Sequence, residues 1–198
     1  MMELVVATRN PGKLKEICRL LEAKNVKILT LDGFPEIPEV EEDGTTFAAN
    51  AVKKAETIAR ATGLPCLADD SGLVAAALQG RPGVHSARFA GVEADDRANN
   101  SKLLDEMALV PEQQRQAAFC CVMALSLPGQ PTRLFEGKVE GLILTQAQGD
   151  GGFGYDPLFW LPAFNCTMAE LPVDTKNRIS HRGQALRQVV EYLSVSQF

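Results

Sequence analysis

Apolar positions along the chain alternate between short strand-length runs and repeats of helical spacing. Leu4–Thr8 is a compact run, and Lys13–Leu21 then places Leu14, Ile17, Leu20 and Leu21 on one side of a helix. Asn25–Thr30 returns to strand character, so the chain opens β-α-β. The acidic, proline-containing stretch Asp32–Asp43 reads as a loop. A helix is predicted over Thr46–Arg60, where Phe47, Ala48, Ala51, Val52, Ala55, Ile58 and Ala59 repeat at helical spacing before Gly63 and Pro65 end it. Pro65–Ala68 is a strand expected to stop at Asp69-Asp70-Ser71-Gly72, and Gly80–Gly91 is a loop. Asp95 or Asp96 caps a helix that runs to Met107. Ala117–Leu127 and Arg133–Leu144 form a hairpin around a Pro-Gly turn. Gly149–Gly154 is a glycine loop, Leu158–Leu161 a short strand and Gly183–Leu193 a closing helix. Repeats, low-complexity stretches and linkers are absent, so residues 1–198 read as a single α/β domain with a mixed sheet.

Charge narrows the partners. A formal net charge of −5 argues against a protein that coats nucleic acid, whose footprint is a basic face. A local phosphate pocket stays compatible with that sign, and an acidic chain handling a polyanion has reason to recruit a divalent cation. The five cysteines, Cys18, Cys66, Cys120, Cys121 and Cys166, show no C-x-x-C spacing, which fits neither a disulfide framework nor a zinc site. Packing in a reducing cytoplasm is expected for them, with Cys120 and Cys121 on opposite sides of a strand. No basic leader precedes the first apolar run, and no run approaches the roughly 18 residues of a membrane span.

Five segments can carry chemistry. Thr8-Arg9-Asn10-Pro11-Gly12-Lys13 joins the first strand to the first helix, where free N–H groups and a lysine suit an anion. It lacks the glycines and Lys-Ser/Thr pair of a P-loop, and an ordinary Asn-Pro-Gly turn is the alternative. Asp69-Asp70-Ser71-Gly72 sets two carboxylates after an apolar strand, a costly arrangement unless a cation or several donors meet them. An Asx-turn is the alternative there. Among Glu39, Glu41, Glu42 and Asp43, one acid can complete a metal site, although a solvated loop is the ordinary reading. Gly151-Gly152-Phe153-Gly154-Tyr155-Asp156-Pro157 offers an aromatic platform for a base and, in Asp156, an acceptor for a purine N–H. Lys176-Asn177-Arg178-Ile179-Ser180-His181-Arg182-Gly183 gathers cations at a helix start, opposite to the dipole preference, as if an anion or electron-rich ligand were near. With only His85 and His181, a multi-histidine metal site is excluded, and there is no G-x-S-x-G elbow.

In this order the five segments resemble the inosine/xanthosine triphosphate pyrophosphatase family, whose motifs are T-x-N-x-x-K, E-x-x-G, D-D-S-G, G-G-x-G-Y-D-P and K-x-x-x-S-H-R. They stand here as Thr8…Lys13, Glu41…Gly44, Asp69…Gly72, Gly151…Pro157 and Lys176…Arg182. The resemblance implies two lobes around a long mixed β-sheet with flanking helices, a nucleotide cleft between the lobes, and a cytoplasmic homodimer. It implies Mg²⁺-dependent hydrolysis of ITP, dITP or XTP to the monophosphate and pyrophosphate, clearing damaged or non-standard purines from the nucleotide pool. By position, Thr8, Arg9, Asn10, Pro11, Gly12 and Lys13 would hold the triphosphate. Glu41 and Asp70 would bind Mg²⁺, with Asp70 also taking the water's proton. Ser71, Phe153, Gly154, Tyr155, Asp156, Lys176, His181 and Arg182 would meet the rest of the substrate. Lys54 and Arg88 fall near family phosphate contacts. Arg9 departs from a common family glycine and would be strained if the backbone there required positive φ. A pyrophosphatase for modified pyrimidines and a non-catalytic nucleotide-binding module are the rival readings, and the paired acids favour an enzyme.

Overall fold

β1 (Met2–Val6) lies parallel to β2 (Val26–Thr30), with α1 (Pro11–Leu21) as the crossover between them. The computed structural model describes residues 2–21 and 26–195; Asn25, expected to open β2, lies outside them. After β2 come α2 (Phe47–Thr62), β3 (Cys66–Ala75), α3 (Asp96–Glu106), β4 (Gln116–Ser126) and β5 (Arg133–Ile143). The chain ends in β6 (Phe159–Leu161), β7 (Cys166–Thr167), α4 (Val173–Ile179) and α5 (His181–Val195). The strands form one seven-stranded sheet in the order β2-β1-β3-β4-β5-β6-β7. It is parallel where β1 meets β2 and β3, and antiparallel from β5 through β7, so the expected mixed α/β class is correct.

The chain divides into two compact units. The first comprises residues up to Asp70, Cys121–Gly137 and the segment from Arg182 onward. Its strands β1, β3 and β4 are buried on both faces, and period-two alternation assigns the sides. Leu4, Val6, Leu67, Cys121, Met123 and Leu125 pack with Ile17 and Leu21 of α1 and with Ala185, Leu186 and Val189 of α5. Val5, Cys66, Ala68, Val122 and Ala124 pack with Ala51, Ala55 and Ile58 of α2. The alanine stripe of α2 lets the helix approach closely. Thr46 caps it by accepting from Ala49 N–H at 3.1 Å, and Gly63 closes it in the left-handed region. Thr46→Ala is expected to cost about 1 kcal/mol, read as a lower urea midpoint with an unchanged slope.

The second unit comprises Ser71–Cys120 and Lys138–His181. Its core gathers Leu73, Phe89, Leu103, Met107, Phe119, Ile143, Leu158, Phe159 and Met168. Buried Arg115 ties it together, its guanidinium donating to the carbonyls of Ile143, Met107 and Leu144 at 2.7–2.9 Å.

Three expectations need correction. β3 does not stop at the paired aspartates but runs on to Ala75, because Leu73 and Ala75 have a core to enter. Gly72 permits this, since a Cβ there would collide with the Ser86 side chain and the Gly83 carbonyl. The loop Gly80–Gly91 contains a 3-10 turn over Gly83–Arg88. Lastly, Lys176 and Arg178 do not open a helix. They lie in the last turn of α4, where cations suit the dipole, and only His181 and Arg182 begin α5. Of the cysteines, Cys121 is buried and Cys120 half-buried, and all five are free thiols. Burial pushes the Cys66 thiol up to about 12, consistent with a packing role.

Candidate active site

The turn after β1 is built by Asn10. Its Oδ1 accepts from Lys13 N–H at 3.0 Å, its own N–H donates to Thr8 Oγ1 at 3.2 Å, and Pro11 takes the first helical position. Arg9 is exposed and is not among the described residues with positive φ, so the expected strain at this position does not arise. α1 then points Lys13 at Asp69, with Nζ 3.0 Å from Oδ1.

Asp69 is the hub of the first unit's polar centre. It is 1% exposed, and its Oδ2 takes Arg182 Nε at 3.2 Å. Arg182 Nη1 continues to Glu16 at 2.5 Å, giving a chain Lys13–Asp69–Arg182–Glu16. Burial works to raise the Asp69 pKa, but Lys13, Arg182 and Lys54 outweigh it and hold the carboxyl well below the usual carboxylate range. Burial likewise opposes charge on Arg182, and Asp69 and Glu16 more than restore it.

Asp70 stands in the opposite condition. It is 4% exposed, and burial raises its carboxyl above the ordinary value despite Lys54 and a hydrogen bond from Asn50 Nδ2 at 2.9 Å. Asn50 also accepts from Gly44 N–H at 2.8 Å, which ties the acidic loop to α2. Lys54, one turn further along α2, donates to Glu42 at 2.5 Å and to the Asp69 carbonyl at 2.6 Å. Asp69, Glu42 and Asp70 hold that amine charged against its burial. Neighbouring carboxylates on one strand thus sit in opposite electrostatic settings. Asp69 is fixed as an anion by cations, and Asp70 is kept proton-avid.

Glu41 is exposed and makes no ion pair or hydrogen bond among the described residues, whereas Glu42 is bound to Lys54. Among the described residues no group of three or more His, Cys, Asp or Glu side chains stands together as a metal cage. The buried Asp70 carboxylate, with Glu42 near enough to act on it, offers the oxygen donors that Mg²⁺ takes, typically one or two carboxylates with water and phosphate oxygens completing the shell.

In the second unit, the glycine loop is folded by Asp156. Its Oδ2 accepts from Phe153 N–H at 2.9 Å and from Lys176 Nζ at 2.6 Å, and both charged side chains are buried. Gly152, at φ +74°, sits where a Cβ would overlap that carboxylate. Lys176 Nζ also lies 4.7 Å from the Phe153 ring centroid. Tyr155 is buried and donates to the Ser86 carbonyl at 2.8 Å. His181 is buried and stacks on Phe119 at 4.9 Å, and Ser71 is partly exposed on β3. The expected residues therefore gather in two groups. Lys13, Asp70 and Arg182 belong to the first unit, with Thr8–Gly12 and Glu41; Phe153–Asp156, Lys176 and His181 belong to the second, with Ser71.

Residues 4–192 match the Ham1 family. The chain belongs to the Ham1 family. It is 54% identical to a dITP/XTP pyrophosphatase of Geobacter sulfurreducens over 98% of this chain and 97% of that one. It is 51% identical to a protein of the same name from Desulforamulus reducens, over 98% and 96%. Among solved structures, a HAM1 protein from Coxiella burnetii superposes with a TM-score of 0.91 at 42% identity, covering 99% of this chain and all of that one. A nucleoside-triphosphatase/dITP/XTP pyrophosphatase from Mycobacterium abscessus gives 0.79 at 43% identity, covering 96% and 99%.

Several residues of the first unit's polar centre are not singled out by the sequence alone. Glu16 lies three positions after Lys13 on one face of α1, and Asn50 lies four before Lys54 on α2, so helical spacing was the available signal. Asp69 was legible only as half of a pair.

Proposed function

We propose that the two units act as a single domain that hydrolyses dITP, XTP and ITP to the monophosphate and pyrophosphate, removing damaged purines from the nucleotide pool. Half-identity over nearly the full length to dITP/XTP pyrophosphatases supports the reaction. The observation that carries the chemistry is the aspartate pair itself, with Asp69 between Lys13 and Arg182 and the neighbouring Asp70 buried beside Asn50.

Thr8–Lys13 grips the triphosphate, with loop N–H groups and the Lys13 ammonium set where negative charge accumulates. Asp69 aims Lys13, because the 3.0 Å ion pair holds the amine near the loop in advance of substrate. Asp70, in its desolvated setting, orients the attacking water and takes its proton. Glu41 and Asp70 would hold Mg²⁺, which would supply compensation for charge on the departing pyrophosphate and make a water more acidic. Ser71 contacts the substrate, and Phe153, Gly154, Tyr155 and Asp156 line base and sugar. Lys176, His181 and Arg182 serve the base edge, where an N–H donates to the 6-oxo oxygen of the purine and is opposed by adenine's amino group. A cytoplasmic homodimer completes the reading. For location, the structure contributes only that no helix among the described residues is long and apolar enough to cross a membrane.

The test is a nucleotide panel with Mg²⁺, scored for pyrophosphate against orthophosphate. Pyrophosphate from dITP and XTP far ahead of dATP and dGTP is expected, stopping with EDTA and returning with added Mg²⁺. Orthophosphate as the product, or activity untouched by EDTA, would overturn it.

A further inference from the structure

α3 is polar along most of its length, yet it spends its polar side chains on other segments' backbone. Asn99 accepts from Ala90 N–H at 2.8 Å and donates to the Ala87 carbonyl at 3.1 Å, and Lys102 donates to the Phe89 carbonyl at 2.7 Å. Two more side chains, one turn apart, close on a single residue. Asp96 Oδ2 accepts from Gly154 N–H at 2.6 Å, and Asn100 Nδ2 donates to the Gly154 carbonyl at 2.9 Å.

Helix capping accounts for neither residue. Asp95 already caps α3, accepting from Ala98 N–H at 2.7 Å, so Asp96 is not needed for that task. Asparagine is a poor helix-interior residue, and the other amide atom of Asn100, Oδ1, is buried without a hydrogen-bond partner. The Asn100 Nδ2 contact reaches across to another segment rather than back to its own helix. Gly154 needs holding, because at φ +63° a glycine has many alternative conformations and it separates Phe153 from Tyr155. Tyr155 is anchored through Ser86 and Phe153 through Asp156, which leaves the intervening peptide to α3.

We propose that Asp96 and Asn100 are positioning residues that fix the Gly154 peptide and thereby preorganise the base platform for a purine nucleotide. This rests on the reading of Phe153–Asp156 as the base site. Removing the bracket lets the loop sample other shapes, so affinity falls by the fraction of time the productive shape is lost. The chemical step at Asp70 keeps its rate.

The experiment is steady-state kinetics with dITP for Asp96→Ala, Asp96→Asn, Asn100→Ala, Asn100→Asp and Phe153→Ala. Asp96→Ala, Asn100→Ala and Asn100→Asp are expected to raise KM about tenfold with kcat within about twofold. Asn100→Asp does so by setting a carboxylate against the Gly154 carbonyl. Asp96→Asn keeps an acceptor for Gly154 N–H and should stay near the parent KM, which a purely charge-based or fold-wide role would not allow. A raised KM in Phe153→Ala with unchanged KM in the alanine variants and Asn100→Asp would overturn the bracket alone. An unchanged KM in Phe153→Ala would sink the platform reading and the bracket with it. Parallel losses of kcat across the α3 variants would also overturn it.

Discussion

Asp70→Asn is expected to reduce pyrophosphate release from dITP by at least about 10²–10⁴-fold while leaving a protein as stable as the parent or more so. The two halves of that result have one cause. Burial raises the Asp70 carboxyl, so its ionised form costs folding free energy. For a group whose folded pKa lies above its unfolded value, the stability contribution is present at low pH and lost as pH rises through the folded value. At neutral pH the parent therefore carries a penalty that the neutral amide lacks. The amide can still accept from Asn50 Nδ2, so the packing is kept. Melting curves at pH 7 beside single-turnover rates check both halves, and a variant that is inactive because it has unfolded would contradict the account. Stability withheld at a reactive group is the usual exchange between activity and robustness.

The second large effect is at Arg182. Arg182→Ala removes the cation between two buried carboxylates, Asp69 and Glu16, and is expected to cost about 3–5 kcal/mol in denaturant unfolding at pH 7. Asp69 obeys the opposite sign from Asp70. Its folded pKa is depressed, so its contribution is complete above the ordinary carboxylate range and drains away only as pH falls well below it. Without Arg182 that depression shrinks, and acid unfolding should begin at a higher pH than in the parent. Adding Glu16→Gln should recover part of the loss, because one of the two stranded charges is gone. A change in the ITP-to-ATP preference of the variant would report the base-edge role in the same protein. Unaltered stability would show that the ion chain contributes nothing.

Much of this was legible from residue order. The β-α-β opening, α2 with its alanine face and the β4–β5 pair follow directly from the spacing of apolar positions. The motif order pointed to the family that the match over residues 4–192 establishes. What stayed hidden depended on contacts distant in sequence. β3 seemed to end at Asp69 because paired acids read as a terminus, and only the core around Leu73 carries the strand past them. α4 was missed because seven residues give too little periodicity, so Lys176 was assigned to the wrong end of a helix. Nothing local distinguishes Asp69 from Asp70. Burial acts on both; Lys13, Arg182 and Lys54 outweigh it at Asp69, whereas at Asp70 it outweighs Lys54 and Asn50.

The first unit draws on three stretches of chain, and α5 supplies both Arg182 and the side chains that roof one face of its sheet. During synthesis, the β-α-β opening must therefore wait, with an apolar face uncovered and Asp69 short of a cation, until α5 has emerged from the ribosome. Stalled or prematurely released chains of this protein should be recognised by chaperones and proteases as unfinished, however much of the sheet they already contain.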